Sequence, residues 1–284
     1  MKFVTFSDRN KDGHPHAGVL DGDQVACLSE AGLGESVLDI VRGGEAALAK
    51  IRAGLATAPR YALADIRLEV PIRPGKVLCS GINYRGHAAE NPNAKMPTEP
   101  FFFAKLPSSV VGPDDPVAKP AVTEQMDYEV EFSVVIGSRL HLADEGQVMP
   151  AIFGYTLLND ISARDVQFKD NQITIGKNLM GFAPIGPVIV TVDELTAPDR
   201  VALRTRLNGR LLQDGNTSDW LFPLPRLISF LSHYMPLEPG DIVTTGTPAG
   251  VGVFRNPQVF MKAGDVVEIE ADGIGVLRTP ITAA

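Results

Sequence analysis

Glu129 and Glu131 stand one residue apart in the run Asp127-Tyr128-Glu129-Val130-Glu131-Phe132-Ser133-Val134-Val135-Ile136-Gly137. The run alternates and is rich in β-branched residues, so it reads as a strand. Side chains two apart on a strand share a face. Two carboxylates held that close repel each other, and away from bulk water a proton or a cation must compensate. Val134, Val135 and Ile136 carry the strand into a core, which favours a hard divalent metal as the compensating charge. The alternative is a solvated acidic face with salt bridges.

A third oxygen donor would hold such an ion better, and Asp160 is the candidate. It closes the apolar stretch Ala151 to Leu158 within Asn159-Asp160-Ile161-Ser162-Ala163-Arg164-Asp165. An all-carboxylate set with open water positions suits Mg²⁺ or Mn²⁺, and Ca²⁺ can also be accommodated. Zinc is disfavoured there, because neither His nor Cys accompanies the carboxylates.

General-base chemistry is suggested by Gly81-Ile82-Asn83-Tyr84-Arg85-Gly86-His87-Ala88-Ala89-Glu90. If His87 starts a helical turn, Glu90 at i+3 lies beside it and fixes the imidazole tautomer. Alternatively this is a surface ion pair. Lys177, among small and apolar residues, could stabilise an enolate or oxyanion, or be a solvated loop lysine. The run Thr244 to Gly252 is glycine-rich and follows a strand. It reads as a tight turn, or as a loop whose N–H groups cradle a carboxylate. It matches neither a Walker loop nor a dinucleotide fingerprint.

The elements around these residues form a β-rich α+β chain. Residues 1–70 read as a small N-terminal α+β domain: a strand over Lys2 to Phe6, a hairpin around Asp21-Gly22-Asp23, and two helices broken at Gly43-Gly44. Pro71 and Pro74-Gly75 mark a boundary, and 71–284 form the larger, catalytic domain. There Lys76 to Ser80, Ala151 to Asn159, a strand starting at Val188, and a hairpin at Asn208-Gly209 follow. Leu224 to Tyr234 has helical spacing.

Composition sets outer limits. The chain has 284 residues, a net charge of −8, 44% hydrophobic and 21% charged residues, values ordinary for a globular protein. With no basic stripe, nucleic acid is not an expected partner. No apolar run is long enough to span a bilayer, and the N-terminus lacks an apolar signal-peptide core. Cys27 and Cys79 lie far apart, without disulfide or metal spacing, and point to a reducing compartment. A cytoplasmic location is the expectation.

Taken together, these motifs make the chain resemble the fumarylacetoacetate hydrolase family from about Pro71 onward. The carrying residues are Gly81-Ile82-Asn83-Tyr84 with His87 and Glu90, then Asp127 to Glu131, Asn159-Asp160 to Arg164-Asp165, and Lys177 with Pro184. Asn208-Gly209 to Asn216-Thr217-Ser218, Leu237-Glu238-Pro239-Gly240-Asp241 and Thr245-Gly246-Thr247-Pro248 complete the set. The resemblance implies a roll of mixed β-sheets, commonly a homodimer. It implies Glu129, Glu131 and Asp160 as ligands of Mg²⁺ or Mn²⁺, and His87 with Glu90 as a catalytic pair on a lid-like segment. Lys177 is implied beside the metal, and Tyr84, Arg85, Gln167 and Thr247 at substrate-contact positions. Many members carry a polar run with Asp where Leu179-Met180-Gly181 stand here, so a less polar pocket wall is expected.

The activity expected from these readings is metal-dependent hydrolysis of a C–C bond in a β-dicarbonyl or acylpyruvate-type compound through an enolate. His87 would activate water and Lys177 would stabilise the enolate. A hydroxyheptadienedioate-type isomerase or tautomerase, an oxaloacetate-type decarboxylase, and an inactive ligand-binding relative are the alternatives. The expected partner is a small oxo-acid or diketone.

Overall fold

The computed structural model describes residues 1–9, 13–90 and 96–284. The N-terminal part contains β1 (Lys2–Asp8), β2 (His16–Asp21), β3 (Gln24–Cys27), α1 (Val37–Gly54), β4 (Arg60–Ala62) and β5 (Ile66–Leu68). Next come β6 (Val77–Ser80), α2 (Arg85–Glu90), β7 (Phe102–Lys105), β8 (Val110–Val111), β9 (Val117–Lys119) and β10 (Met126–Asp127). The central stretch holds β11 (Val130–Ile136), α3 (Glu145–Val148), β12 (Ile152–Asn159), β13 (Ser162–Ala163), α4 (Arg164–Phe168), α5 (Ile173–Lys177) and β14 (Ala183–Thr191). Last are β15 (Ala202–Leu207), β16 (Arg210–Asn216), α6 (Leu224–Ser232), β17 (Ile242–Thr244), β18 (Val266–Ala271) and β19 (Gly275–Ala283).

A mixed 12-stranded sheet dominates, in the order β4-β3-β2-β1-β14-β12-β11-β17-β6-β7, with β5 on β1 and β8 on β14. A five-stranded sheet, β16-β15-β18-β19-β9, and a small β10-β13 ladder complete the β-rich α+β fold. β1 pairs with β14 through Lys2↔Val190 and Phe3↔Ile189, so the first strands extend the sheet that carries the acidic residues. The division near residue 70 is a proposal about separable folding units within that continuous sheet.

Every residue of β11 is buried, as expected of a strand covered on both faces. Its alternation sends Val130, Phe132, Val134 and Ile136 into one core and Val135 into another. Glu131 and Ser133 share the Val135 face. β11 pairs with β12 on one side and β17 on the other. That register places Thr244 beside the β11 end that carries Glu131 and sets Asn159-Asp160 opposite Glu129-Val130.

Ser36 caps α1 by accepting from the N–H of Asp39, and Gly44, at φ 54°, interrupts the helix where the two-helix reading expects a break. At the Asn208-Gly209 hairpin both residues have positive φ, 51° and 79°, the requirement of a type I′ turn. The strand expected to start at Val188 begins five residues earlier, at Ala183. It runs through Pro187 because the β12–β14 register shifts between Tyr155 and Leu157, and such an irregularity accommodates a residue lacking a ladder donor.

Candidate active site

Glu129, Glu131 and Asp160 converge where β11, β12 and β17 end, each offering a carboxylate oxygen within 4.8 Å of the others. All three are buried, so the solvated-face alternative does not hold. Glu129 lies just before β11. Its N–H donates to Asn159 Oδ1 at 3.1 Å and its carbonyl accepts from the Asp160 N–H at 2.9 Å. These two bonds seat two of the three carboxylates against each other.

Lys177, at the end of α5, is 3% exposed, so it is not a solvated loop lysine. Its Nζ donates to Glu129 Oε2 at 2.7 Å and Asp160 Oδ2 at 2.5 Å. The same ammonium lies 4.9 Å from the centre of the Phe103 ring. Two further cations had no role assigned from sequence. Arg164 donates to Asp127 Oδ2 at 2.8 Å, Glu129 Oε1 at 2.5 Å and Gln167 Oε1 at 3.1 Å. Lys105 reaches Asp160 Oδ1 at 2.6 Å. Its three protons, however, point to the carbonyls of Ile161, Lys177 and Phe182 at 2.5–2.9 Å. Asp160 Oδ1 therefore remains a buried acceptor with no hydrogen-bond donor. The ion-pair distance and the missing hydrogen bond are compatible, because an ammonium has only three donors.

The cluster's charge balance bears on metal binding. Four buried carboxylates, Asp127, Glu129, Glu131 and Asp160, meet three buried cations, Lys105, Arg164 and Lys177. Burial raises the Glu129 carboxyl, but Arg164 and Lys177 outweigh this and hold it well below the usual range. Glu131 shows the opposite. Burial first, then Asp160 and Glu129, push its carboxyl well up. Thr244 donates its hydroxyl to Glu131, and among the described residues no cation pairs with it. A carboxylate without a counter-charge, an Asp160 oxygen that meets only the Lys105 ammonium and an all-oxygen donor set fit a hard divalent ion.

The residues around the triad enclose a cavity of about 240 Å³, lined by His87, Glu129, Glu131, Arg164, Gln167, Lys177 and Thr247 together with Phe101, Phe103, Phe168 and Phe254. That is below the roughly 300–1,000 Å³ of drug-sized pockets and suits a small ligand. On α2, His87 Nδ1 lies 2.7 Å from Glu90 Oε2, which leaves Nε2 as the imidazole nitrogen not bound to Glu90. Glu90 Oε1 accepts the Gly250 N–H at 2.7 Å. Asp127 accepts the N–H groups of Gly252 and Val253 at 2.7 and 3.0 Å. The glycine-rich loop thus cradles carboxylates, and they are the protein's own.

Tyr84 and Arg85 do not line the cavity. Tyr84 is fully buried in the core and forms an isolated bridge with Trp220. Arg85 donates to the Trp220 carbonyl at 2.7 Å. Leu179-Met180-Gly181 do not line it either, which corrects the expected apolar wall. Met180 is 78% exposed, because Gly181 turns the chain at φ 81°, with Phe182 buried in a core and Leu179 half-buried against it. Lys105 had one legible signal, a lysine closing the apolar run Phe101-Phe102-Phe103-Ala104. Arg164 stood in the motif Asn159-Asp160 to Arg164-Asp165, but nothing there gave it a role.

Residues 76–282 match the family described as fumarylacetoacetate (FAA) hydrolase C-terminal. The chain belongs to the fumarylacetoacetate hydrolase family. It is 38% identical over 285 residues to the mitochondrial oxaloacetate tautomerase FAHD2B of Bos taurus, covering 98% of this chain and 90% of that protein. The fumarylacetoacetate hydrolase of psychrophilic Exiguobacterium antarcticum superposes over 100% of both chains, with a TM-score of 0.88 and 37% identity. Maleylpyruvate hydrolase from Sphingobium sp. SYK-6, solved with manganese(II) and pyruvate, superposes over 100% of both chains at 0.84 and 29% identity. Family membership makes the chain an enzyme with tautomerase, isomerase and hydrolase relatives.

Proposed function

We propose that this protein is a divalent-metal-dependent tautomerase that interconverts the keto and enol forms of a small 2-oxo diacid of the oxaloacetate type. The observation that carries the reading is His87, held 2.7 Å from Glu90 and lining the same small cavity as Glu129, Glu131 and Lys177. Held by Glu129, Glu131 and Asp160, Mg²⁺ or Mn²⁺ would supply Lewis-acid polarisation of the substrate's oxygens.

The chain's own groups supply the rest. Glu90 fixes the His87 tautomer, so that Nε2 carries the proton between the carbon next to the keto group and the oxygen of the enol, in either direction. Lys177 spends two of its three protons on Glu129 and Asp160, which leaves one for the oxygen on which charge develops. Thr247 Oγ1 accepts from Gln213 Nε2 at 2.8 Å, so its own proton is free for a substrate carboxylate. Gln167, with its oxygen on Arg164, offers its amide N–H groups. The four phenyl rings limit stray water.

The bovine relative's name, oxaloacetate tautomerase, supports this reading. C–C hydrolysis of an acylpyruvate is the second reading, supported by the maleylpyruvate hydrolase neighbour. In it His87 would take its proton from a water. The exposed apolar side chains Phe168, Ile175 and Met180 on and after α4 and α5 support a homodimer. The two free, buried cysteines support a cytoplasmic location.

The test is loss of enol-oxaloacetate absorbance with Mg²⁺ or Mn²⁺, alongside mass spectrometry of products from acylpyruvates. Enol-to-keto conversion that is abolished by EDTA and by His87→Gln is expected. No acceleration over buffer, with water-cleaved products from an acylpyruvate instead, would replace the first reading with the second.

A further inference from the structure

Among the described residues, a second trio brings metal-ligating atoms together, away from the cavity. His16, Cys27 and Glu30 offer an imidazole nitrogen, a thiol sulfur and a carboxylate oxygen within 4.8 Å of one another. The β2–β3 hairpin builds the trio. Cys27 pairs with Gly18, and His16, two residues before Gly18, points to the same face. The short turn after β3 then returns Glu30 to that face. Gly18, opposite Cys27, makes room for the side chains that pack beside the trio: a Cβ there would meet Val25 Cγ1 at 2.4 Å and Phe6 Cε1 at 2.9 Å.

The surroundings are those of a positioned site. Tyr61, on β4, donates its hydroxyl to Glu30 Oε1 at 2.6 Å, the kind of outer contact that orients a ligating carboxylate. The Phe6 ring packs 5.7 Å from the His16 ring. Cys27 is fully buried, whereas His16 is half-buried and Glu30 exposed, so the trio has an approach from solvent. The donor set contrasts with the acidic triad. Thiolate with imidazole and carboxylate suits a borderline-soft ion, and carboxylates alone suit a hard one. Tetrahedral ligands sit about 3.5 Å apart at ordinary zinc bond lengths, inside the 4.8 Å that bounds the trio, and the half-buried His16 ring and exposed Glu30 side chain have the freedom to close on the Cys27 sulfur.

We propose that His16, Cys27 and Glu30 form a second metal site, for Zn²⁺ or an ion of similar softness, which clamps the β2–β3 hairpin and, through Tyr61, β4.

Co²⁺ titration of the full-length, reduced protein tests this, because only a thiolate ligand gives an intense near-ultraviolet charge-transfer band. With excess Mg²⁺ filling the acidic triad, the band should saturate at a single equivalent in wild type and in Glu131→Gln, and vanish in Cys27→Ser. His16→Ala and Glu30→Gln should each weaken Co²⁺ binding about tenfold or more. These two variants decide the matter if Cys27→Ser does not fold. No band at excess Co²⁺, a band that survives Cys27→Ser or is lost in Cys79→Ser, or unchanged affinity in both His16→Ala and Glu30→Gln would overturn the proposal.

Discussion

Gly250 donates its backbone N–H to Glu90 Oε1 across 2.7 Å, so the glycine-rich loop holds the carboxylate that orients His87. Gly250 has φ 109°, and a Cβ there would meet the Leu212 carbonyl oxygen at 2.3 Å. Gly250→Ala should therefore destabilise the fold by about 1–3 kcal/mol and lower kcat through a displaced Glu90. Thermal melts and steady-state kinetics check both. An unchanged melting temperature with full activity would separate the loop from the base.

Glu90→Gln keeps an oxygen for Gly250 but loses the charge beside His87. Turnover should fall by about 10- to 100-fold, with little change in metal affinity, since Glu90 does not touch the triad. Kinetics alongside a metal titration distinguish this from general damage to the site.

Glu131 carries a pH signature. Its carboxyl is pushed well above the ordinary 4.5 by burial and by Asp160 and Glu129. Between 4.5 and that raised value the native, metal-free protein binds more protons than the unfolded chain. Stability must then fall as pH rises through the window. The penalty is absent below the window and complete above it. Melting temperature against pH in EDTA should slope downward in wild type and flatten in Glu131→Gln, and identical slopes would contradict the assignment.

Metal binding should displace the proton that this cluster retains. Calorimetry in two buffers of different ionisation enthalpy should report release of up to about one proton per Mg²⁺ or Mn²⁺. EDTA should abolish activity and either ion should restore it.

Arg164 bridges Asp127, Glu129 and Gln167 with a planar fork. Lysine cannot reproduce that geometry. Arg164→Lys should cost several kcal/mol, on the order of the 3–5 kcal/mol for breaking a buried pair, and should weaken divalent-ion binding through a loosened Glu129. Denaturant unfolding with and without Mn²⁺ measures both.

Local periodicity determined much of the site on its own. The two-residue period of a strand put Glu129 and Glu131 together, although Glu129 itself lies just before β11, and His87 meets Glu90 because a helical turn spans three to four. Hairpins and helices were legible for the same reason, and the order of motifs carried the family. Tertiary structure decided which charges meet. Lys105 reaches Asp160 across 55 positions of sequence, and Arg164 ties Asp127 to Glu129, only because sheet register brings separate strand ends together. Tyr84 sits in the core rather than the cavity, and Met180 points outward, because the turns preceding and following them set directions that spacing does not encode. The meeting of His16, Cys27 and Glu30 likewise depends on the pairing of β2 with β3. Spacing fixes neighbours within an element, whereas the electrostatics of a buried site depend on contacts between elements.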